Sequence, residues 1–189
     1  MLLIYILTNV ERISNNMSDK KKEILDWVKV ILAAVAISFI LNNFVIVNAQ
    51  VPTGSMENTV MTKDRVFANR LSYLFNDPQR GDIVVFPFPD DESVNYLKRI
   101  IGLPGDTVEI KDGKVYINNS KEPLKEDYLK EKPTGSYGPY KVPADSYFMM
   151  GDNRNISLDS RFWNHPFVKK EKILGKVVLR YYPSIKVLK

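Results

Sequence analysis

Asn95-Tyr96-Leu97-Lys98-Arg99-Ile100-Ile101-Gly102 is the stretch from which the architecture follows. Side chains alternate along an extended strand, so Tyr96, Lys98 and Ile100 share one face and Leu97, Arg99 and Ile101 the other. Each basic residue is flanked by bulky apolar ones, and one of the two is expected to be desolvated. The competing reading is an ordinary edge strand whose lysine points to water.

The pattern continues on either side. Arg65 to Ala68, Asp82 to Phe86, Thr107 to Ile110, Lys114 to Ile117, Tyr147 to Met150 and Leu174 to Tyr182 also read as strands. Lys111-Asp112-Gly113-Lys114 carries a hairpin signal, because Asp-Gly tolerates positive φ. Helical turns are expected only at Leu124 to Lys130 and Val168 to Ile173. Lys121 to Tyr140, charged and broken by Pro133, Gly135 and Gly138, reads as a surface excursion. The expected fold is mainly β, an N-terminal transmembrane helix followed by one antiparallel β-rich domain with a small inserted β hairpin region.

Trp27 to Val47 is the one segment apolar enough to cross a bilayer, its 21 residues reaching roughly 31 Å as a helix. Lys29 can snorkel and Trp27 suits the interface. Lys20-Lys21-Lys22 before it predicts an N-terminus inside and a C-terminal domain outside. A cleaved leader ending near Val47-Asn48-Ala49 competes. The retained anchor is preferred because apolar character resumes at Phe44 to Val47. The expected organisation is a cytoplasmic tail over 1–23, an anchor over 24–47 and an extracytoplasmic domain over 48–189 with a short β insert at 107–142. Met17-Ser18-Asp19 resembles a second start, so 1–16 reads as a start-site extension.

Composition narrows the chemistry. The absence of cysteine removes thiol catalysis, thiolate metal sites and disulfides. His165 is the only histidine and sits among Trp163, Asn164 and Pro166, a packed loop, so a Ser-His-Asp triad is disfavoured. No cofactor or metal is expected. The net charge of +5 is dispersed, which gives nucleic-acid binding little support and suits attraction to anionic lipid.

Just past the span, Pro52-Thr53-Gly54-Ser55-Met56 places a hydroxyl in a Gly-containing turn. By itself this is an ordinary bend. If Ser55 is a nucleophile it needs a base, and with His165 set aside lysine is the main remaining candidate. A free lysine titrates near 10.4, so a base poised near neutrality needs roughly 4 kcal/mol of preferential destabilisation of the ammonium, for which burial beside Tyr96 and Ile100 is a sufficient source. A polar loop, Gly151-Asp152-Asn153-Arg154 through Asp159-Ser160-Arg161, follows the apolar strand Tyr147 to Met150.

Four of these segments, Pro52 to Met56, Arg80 to Phe86, Tyr96 to Asp106 and Gly151 to Arg161, resemble in order and wording the boxes of bacterial type I signal peptidase, in its compact single-anchor form. The resemblance runs from the span almost to the C-terminus. It implies a Ser-Lys dyad endopeptidase that removes signal peptides after small-x-small sites. Ser55 would be the acylated nucleophile and Lys98 its general base, with Ser157 orienting the lysine. The Ser55 N–H and Thr53 hydroxyl would form the oxyanion hole, Asp159 and Arg161 a structural ion pair, and Arg99 a supporting cation. Met56, Val60, Tyr96 and Leu97 match positions lining shallow pockets. Val47 to Val51 and Asn95 to Lys98 would pair with an extended substrate. The implied partners are preprotein signal peptides, the phospholipid membrane and, by proximity, the secretion translocon.

The chain departs from that pattern at Asn58, where the family often has proline, and in its short Thr107 to Val142 region, which makes accessory surface contacts doubtful. Two rivals stand beside this reading. A self-cleaving repressor-type peptidase shares the dyad but should be soluble, and a membrane-tethered binding module would be indifferent to Ser55.

Overall fold

The computed structural model describes residues 19–188. The start-site extension expected over 1–16 lies outside the described residues. The chain forms two compact units, divided after Asn43.

The first unit contains helix α1, Asp19–Ile40, continued by a π-type turn at Leu41–Val45. Its apolar side chains are exposed around the whole circumference and none of its residues is buried. A helix apolar on all sides that buries nothing in protein has the surface that lipid requires. Lys29 lies near its start and pairs with Asp26 at 2.8 Å. The helical segment stops short of Val47, through which an anchor was expected, and Ile46 and Val47 belong to a strand.

The second unit is mainly β. Its strands are β1 Ile46–Gln50, β2 Arg65–Asn69, β3 Ile83–Phe88, β4 Asp91–Gly102, β5 Thr107–Lys111, β6 Lys114–Ile117, β7 Tyr137–Lys141, β8 Ser146–Met150, β9 Phe167–Lys169, β10 Gly175–Tyr182 and β11 Lys186–Val187. The main sheet runs β1-β2-β10-β3-β4-β8-β9 with β11 on β10, and β6-β5-β7 form a second, three-stranded sheet. All pairings are antiparallel. The hairpin β5–β6 turns at Asp112 and Gly113, both at positive φ, as its Asp-Gly pair predicts.

The twelve residues of β4 matter most for the site. Its first part pairs with β3, setting Lys98 opposite Val84, and its last part pairs with β8, from Arg99 onward. Among the described residues, therefore, one edge of β4 carries no strand before Arg99. β1, among the described residues, has a strand on one side only, that of β2. Three apolar clusters support these strands, one around Val66, Ile83 and Val177, one around Phe86, Ile100 and Trp163, and one around Val108, Ile110 and Phe148.

Three local expectations are corrected. Leu124 to Lys130 forms no helix, and its Glu126 side chain and Tyr128 carbonyl bond other segments. Val168 to Ile173 is mostly strand β9 and a short 3-10 turn at Lys170–Lys172. The excursion Lys121 to Tyr140 carries the start of β7, whose Gly138 and Pro139 conceal the strand from a propensity reading.

Candidate active site

β1 delivers the chain into a 3-10 turn at Gly54–Met56. Met56 and Val60 anchor this turn in the core at 0% exposure, and Val60 N–H donates to the Met56 carbonyl at 2.9 Å. Burying the residues on the C-terminal side of Ser55 fixes its backbone, so its hydroxyl is held rather than free to wander. The polar loop after β8 grips the turn as well, since Asn153 N–H donates to the Ser55 carbonyl at 3.0 Å and its side-chain amide to the Gly54 carbonyl at 3.1 Å.

β4 carries Lys98 into the same place. Lys98 Nζ lies 2.5 Å from Ser55 Oγ, with the lysine 3% exposed and the serine 9%. The ammonium sits 5.3 Å from the Tyr96 ring centroid. Among the described residues, no carboxylate comes within salt-bridge distance of it. Burial of an unpaired ammonium penalises its charged form, and Lys98 is pulled down from 10.5 to about 8. Asp159 and Asp152 attract the proton and limit that fall, while Arg161 adds to it. An amine titrating there, in contact with a hydroxyl, can accept the hydroxyl proton near neutral pH.

The carboxylates near Lys98 are each committed elsewhere. Asp159 takes a bidentate pair from Arg161, with Nε at 2.8 Å, and accepts Gly151 N–H at 3.0 Å. Asp152 takes Arg99 Nε at 2.8 Å and its terminal nitrogen at 2.6 Å, and also accepts the Thr59 hydroxyl. Arg99, Asp152, Asp159 and Arg161 are all buried. Two compensated ion pairs thus flank one uncompensated lysine.

A cleft of about 680 Å³ opens over Ser55 and Lys98, walled by Val47 to Gly54 on one side and Val94 to Lys98 on the other. Those walls are the free edges of β1 and β4. Ile156 and Leu158 close it and present apolar side chains to solvent.

A family model described as "Signal peptidase, peptidase S26" matches residues 24–182. The chain belongs to this signal peptidase family. It is a serine peptidase, a hydrolase. Signal peptidase I S of Bacillus subtilis (strain 168) is 41% identical over 181 residues, covering 90% of this chain and 95% of that protein. Signal peptidase I of Leptolyngbya laminosa is 40% identical over 167 residues, covering 85% of this chain and 80% of that one. A crystal structure of a signal peptidase I from Enterococcus faecalis V583 matches with TM-score 0.46 and 37% identity, covering 53% of this chain and 97% of that one.

Within this family frame, the structure brings Ser55, Lys98, Tyr96, Leu97 and Thr53 to one cleft. Thr53 is extended and exposed. Met56 and Val60 are buried in the core beneath the Gly54–Met56 turn and do not line this cleft. Ser157 is buried beside Gly151 and the Ser55 carbonyl, yet its hydroxyl makes no hydrogen bond, so the contact to the lysine amine is not formed. His165 is not packed. Its side chain is 76% exposed and bonds Asp90 at 2.7 Å. Both basic residues of β4 are buried where one was expected, Arg99 because Asp152 compensates it. The Asp152–Arg99 pair, Ile156 and Leu158 were missed. The pairing of Arg99 with Asp152 has no local sequence signal, whereas two apolar residues in an otherwise polar loop were a signal left unread.

Proposed function

We propose that Ser55 and Lys98 act as a nucleophile–base dyad that removes N-terminal signal peptides from exported preproteins. The observation that carries this is the 2.5 Å contact between two buried side chains at the floor of a cleft. Neutral Lys98 takes the Ser55 proton as Oγ attacks the carbonyl at the cleavage site. The tetrahedral oxyanion is held by the Ser55 N–H and the Thr53 hydroxyl, and a protonated Lys98 returns its proton to the leaving amine. The acyl-enzyme is then opened by a water that Lys98 activates, with Ser157 turning to orient the amine.

The free edges of β1 and β4 suit addition of an extended peptide between them, since unpaired backbone groups there need partners. Narrow apolar walls lined by Tyr96 and Leu97 favour small side chains at the first and third positions before the cut. Helix α1 is the anchor, with Lys20, Lys21 and Lys22 on the cytoplasmic side and the β unit on the extracytoplasmic face. Anchoring confines enzyme and membrane-bound substrate to two dimensions and raises their effective concentration. The same placement puts the enzyme near the translocon from which preproteins emerge.

Detergent-solubilised full-length protein is tested on a purified preprotein. Cleavage after a small-x-small site by the wild type, lost in both Ser55→Ala and Lys98→Ala, is the expected result. Equal cleavage by Lys98→Ala would overturn the dyad.

A further inference from the structure

Within the charged segment between β6 and β7, Glu126 and Tyr128 turn back behind the site while Lys125, Asp127 and Lys130 stay in solvent. Tyr128 lays its ring over the Arg99 guanidinium, 4.0 Å from ring centroid to Cζ. Its hydroxyl donates to Glu126 at 2.8 Å, and Glu126 receives a bidentate pair from Arg154, one arm at 3.0 Å and the other at 2.5 Å. Arg154 in turn donates from Nε to the Gly151 carbonyl at 3.0 Å, inside the loop that grips Ser55. The segment is also pinned to the nucleophile turn, because the Asn58 amide donates to the Tyr128 carbonyl at 2.7 Å.

These contacts are not incidental packing. Tyr128 belongs to none of the three apolar clusters, so what it covers is charge rather than core. Asn58 has φ of 88°, a left-handed conformation that Asn tolerates and that proline, fixed near −65°, cannot adopt. The residue that departs from the family pattern is therefore the one whose side chain and backbone together make the tether.

We propose that Glu126 and Tyr128 are positioning residues of the peptidase site, holding the Arg99–Asp152 pair in the arrangement that keeps Lys98 against Ser55, an inference that rests on the Ser-Lys reading above. Arg99 follows Lys98 in β4, and Asp152 links Arg99 to Thr59 on the nucleophile turn, so this pair joins the base strand to the nucleophile. The Tyr128 ring shields one face of the guanidinium from water. Without it, hydration loosens Arg99 from Asp152. The groups facing Lys98 are Ser55, Tyr96, Asp159, Asp152 and Arg161. Of these, Asp152 would become less compensated and would draw a proton onto Lys98 more strongly.

The test is the pH dependence of kcat for preprotein cleavage by the full-length protein, comparing wild type, Tyr128→Ala, Tyr128→Phe, Asn58→Ala and Lys98→Ala, with thermal melts alongside. Tyr128→Ala should lower kcat on the order of 10- to 100-fold with KM little changed. It should also move the acid limb to higher pH by about half a unit or more. Tyr128→Phe keeps the ring and should hold the limb in place. If Tyr128→Ala does not fold, Asn58→Ala should show a smaller shift in the same direction. An unmoved limb, with activity lost only in proportion to folded protein, overturns the positioning role. Retained activity in Lys98→Ala would instead remove the dyad, so the two failures are distinguishable.

Discussion

Lys98 Nζ and Ser55 Oγ meet at 2.5 Å across 43 residues of sequence. As an ammonium Lys98 donates to the hydroxyl, and as an amine it accepts from it, so one geometry serves both protonation states. Residues that act as a unit lose their effect together. Ser55→Ala and Lys98→Ala should each lower the cleavage rate by about 10³-fold or more, and the double variant should be little worse than either. Rates that multiplied in the double variant would mean independent roles.

The pH profile follows from the same amine. With Lys98 at about 8, only about a tenth of it is neutral at pH 7, and kcat/KM should rise roughly tenfold per unit below that value before levelling above it. A limb near 10.5 would show that the lysine is hydrated in solution.

Burying this lysine also costs stability. Its folded pKa of about 8 lies below the ordinary 10.5, so between those values the unfolded chain binds more protons and stability rises with pH. Below about 8 the penalty is fully present, on the order of 3 kcal/mol. Lys98→Met should therefore be inactive yet more stable than wild type at pH 7, by an increment that shrinks as pH approaches 10.5. Denaturant melts at pH 7 and 10 measure it.

Much of this site was legible because strand periodicity is local. The alternation Tyr96-Leu97-Lys98-Arg99 fixed both faces of β4, and the Asp-Gly pair fixed the turn between β5 and β6. What stayed hidden depends on residues brought together over long separations. Arg99 and Asp152 are 53 apart and Asn58 and Tyr128 are 70 apart, and nothing in either local sequence announces its partner. The burial of Met56 and Val60 was hidden too, because two apolar residues beside Ser55 fit a pocket as well as a core. Only the path of the 3-10 turn decides between them.

The two charges of the Asp159–Arg161 pair pull on Lys98 in opposite senses, which gives a paired prediction. Asp159→Asn removes the carboxylate that favours the ammonium and should move the acid limb to lower pH. Arg161→Ala leaves that carboxylate uncompensated and should move it higher. Each breaks a buried pair and should cost about 3 to 5 kcal/mol of stability, read from denaturant midpoints. Shifts of the same sign in both variants would mean a rearranged loop rather than altered electrostatics.

Gly151 is required by close approach rather than by its dihedral angles. A Cβ there would stand 2.2 Å from Ser157 Oγ and 2.4 Å from the Ser55 carbonyl oxygen. The Ser157 hydroxyl can rotate away, but its Cβ, 2.6 Å off, cannot, and the carbonyl belongs to the Ser55 backbone, where it accepts from Asn153 N–H. Gly151→Ala must therefore push Ser55 relative to Lys98. A displacement of about 1 Å costs on the order of 10²-fold in rate. The expected outcome is a kcat reduced by about that factor in protein that still melts cooperatively. Adding Ser157→Ala to Gly151→Ala should recover little of the loss, because the contacts with the Ser55 carbonyl and the Cβ of residue 157 remain. Full recovery in the double variant would place the clash at the Ser157 hydroxyl alone.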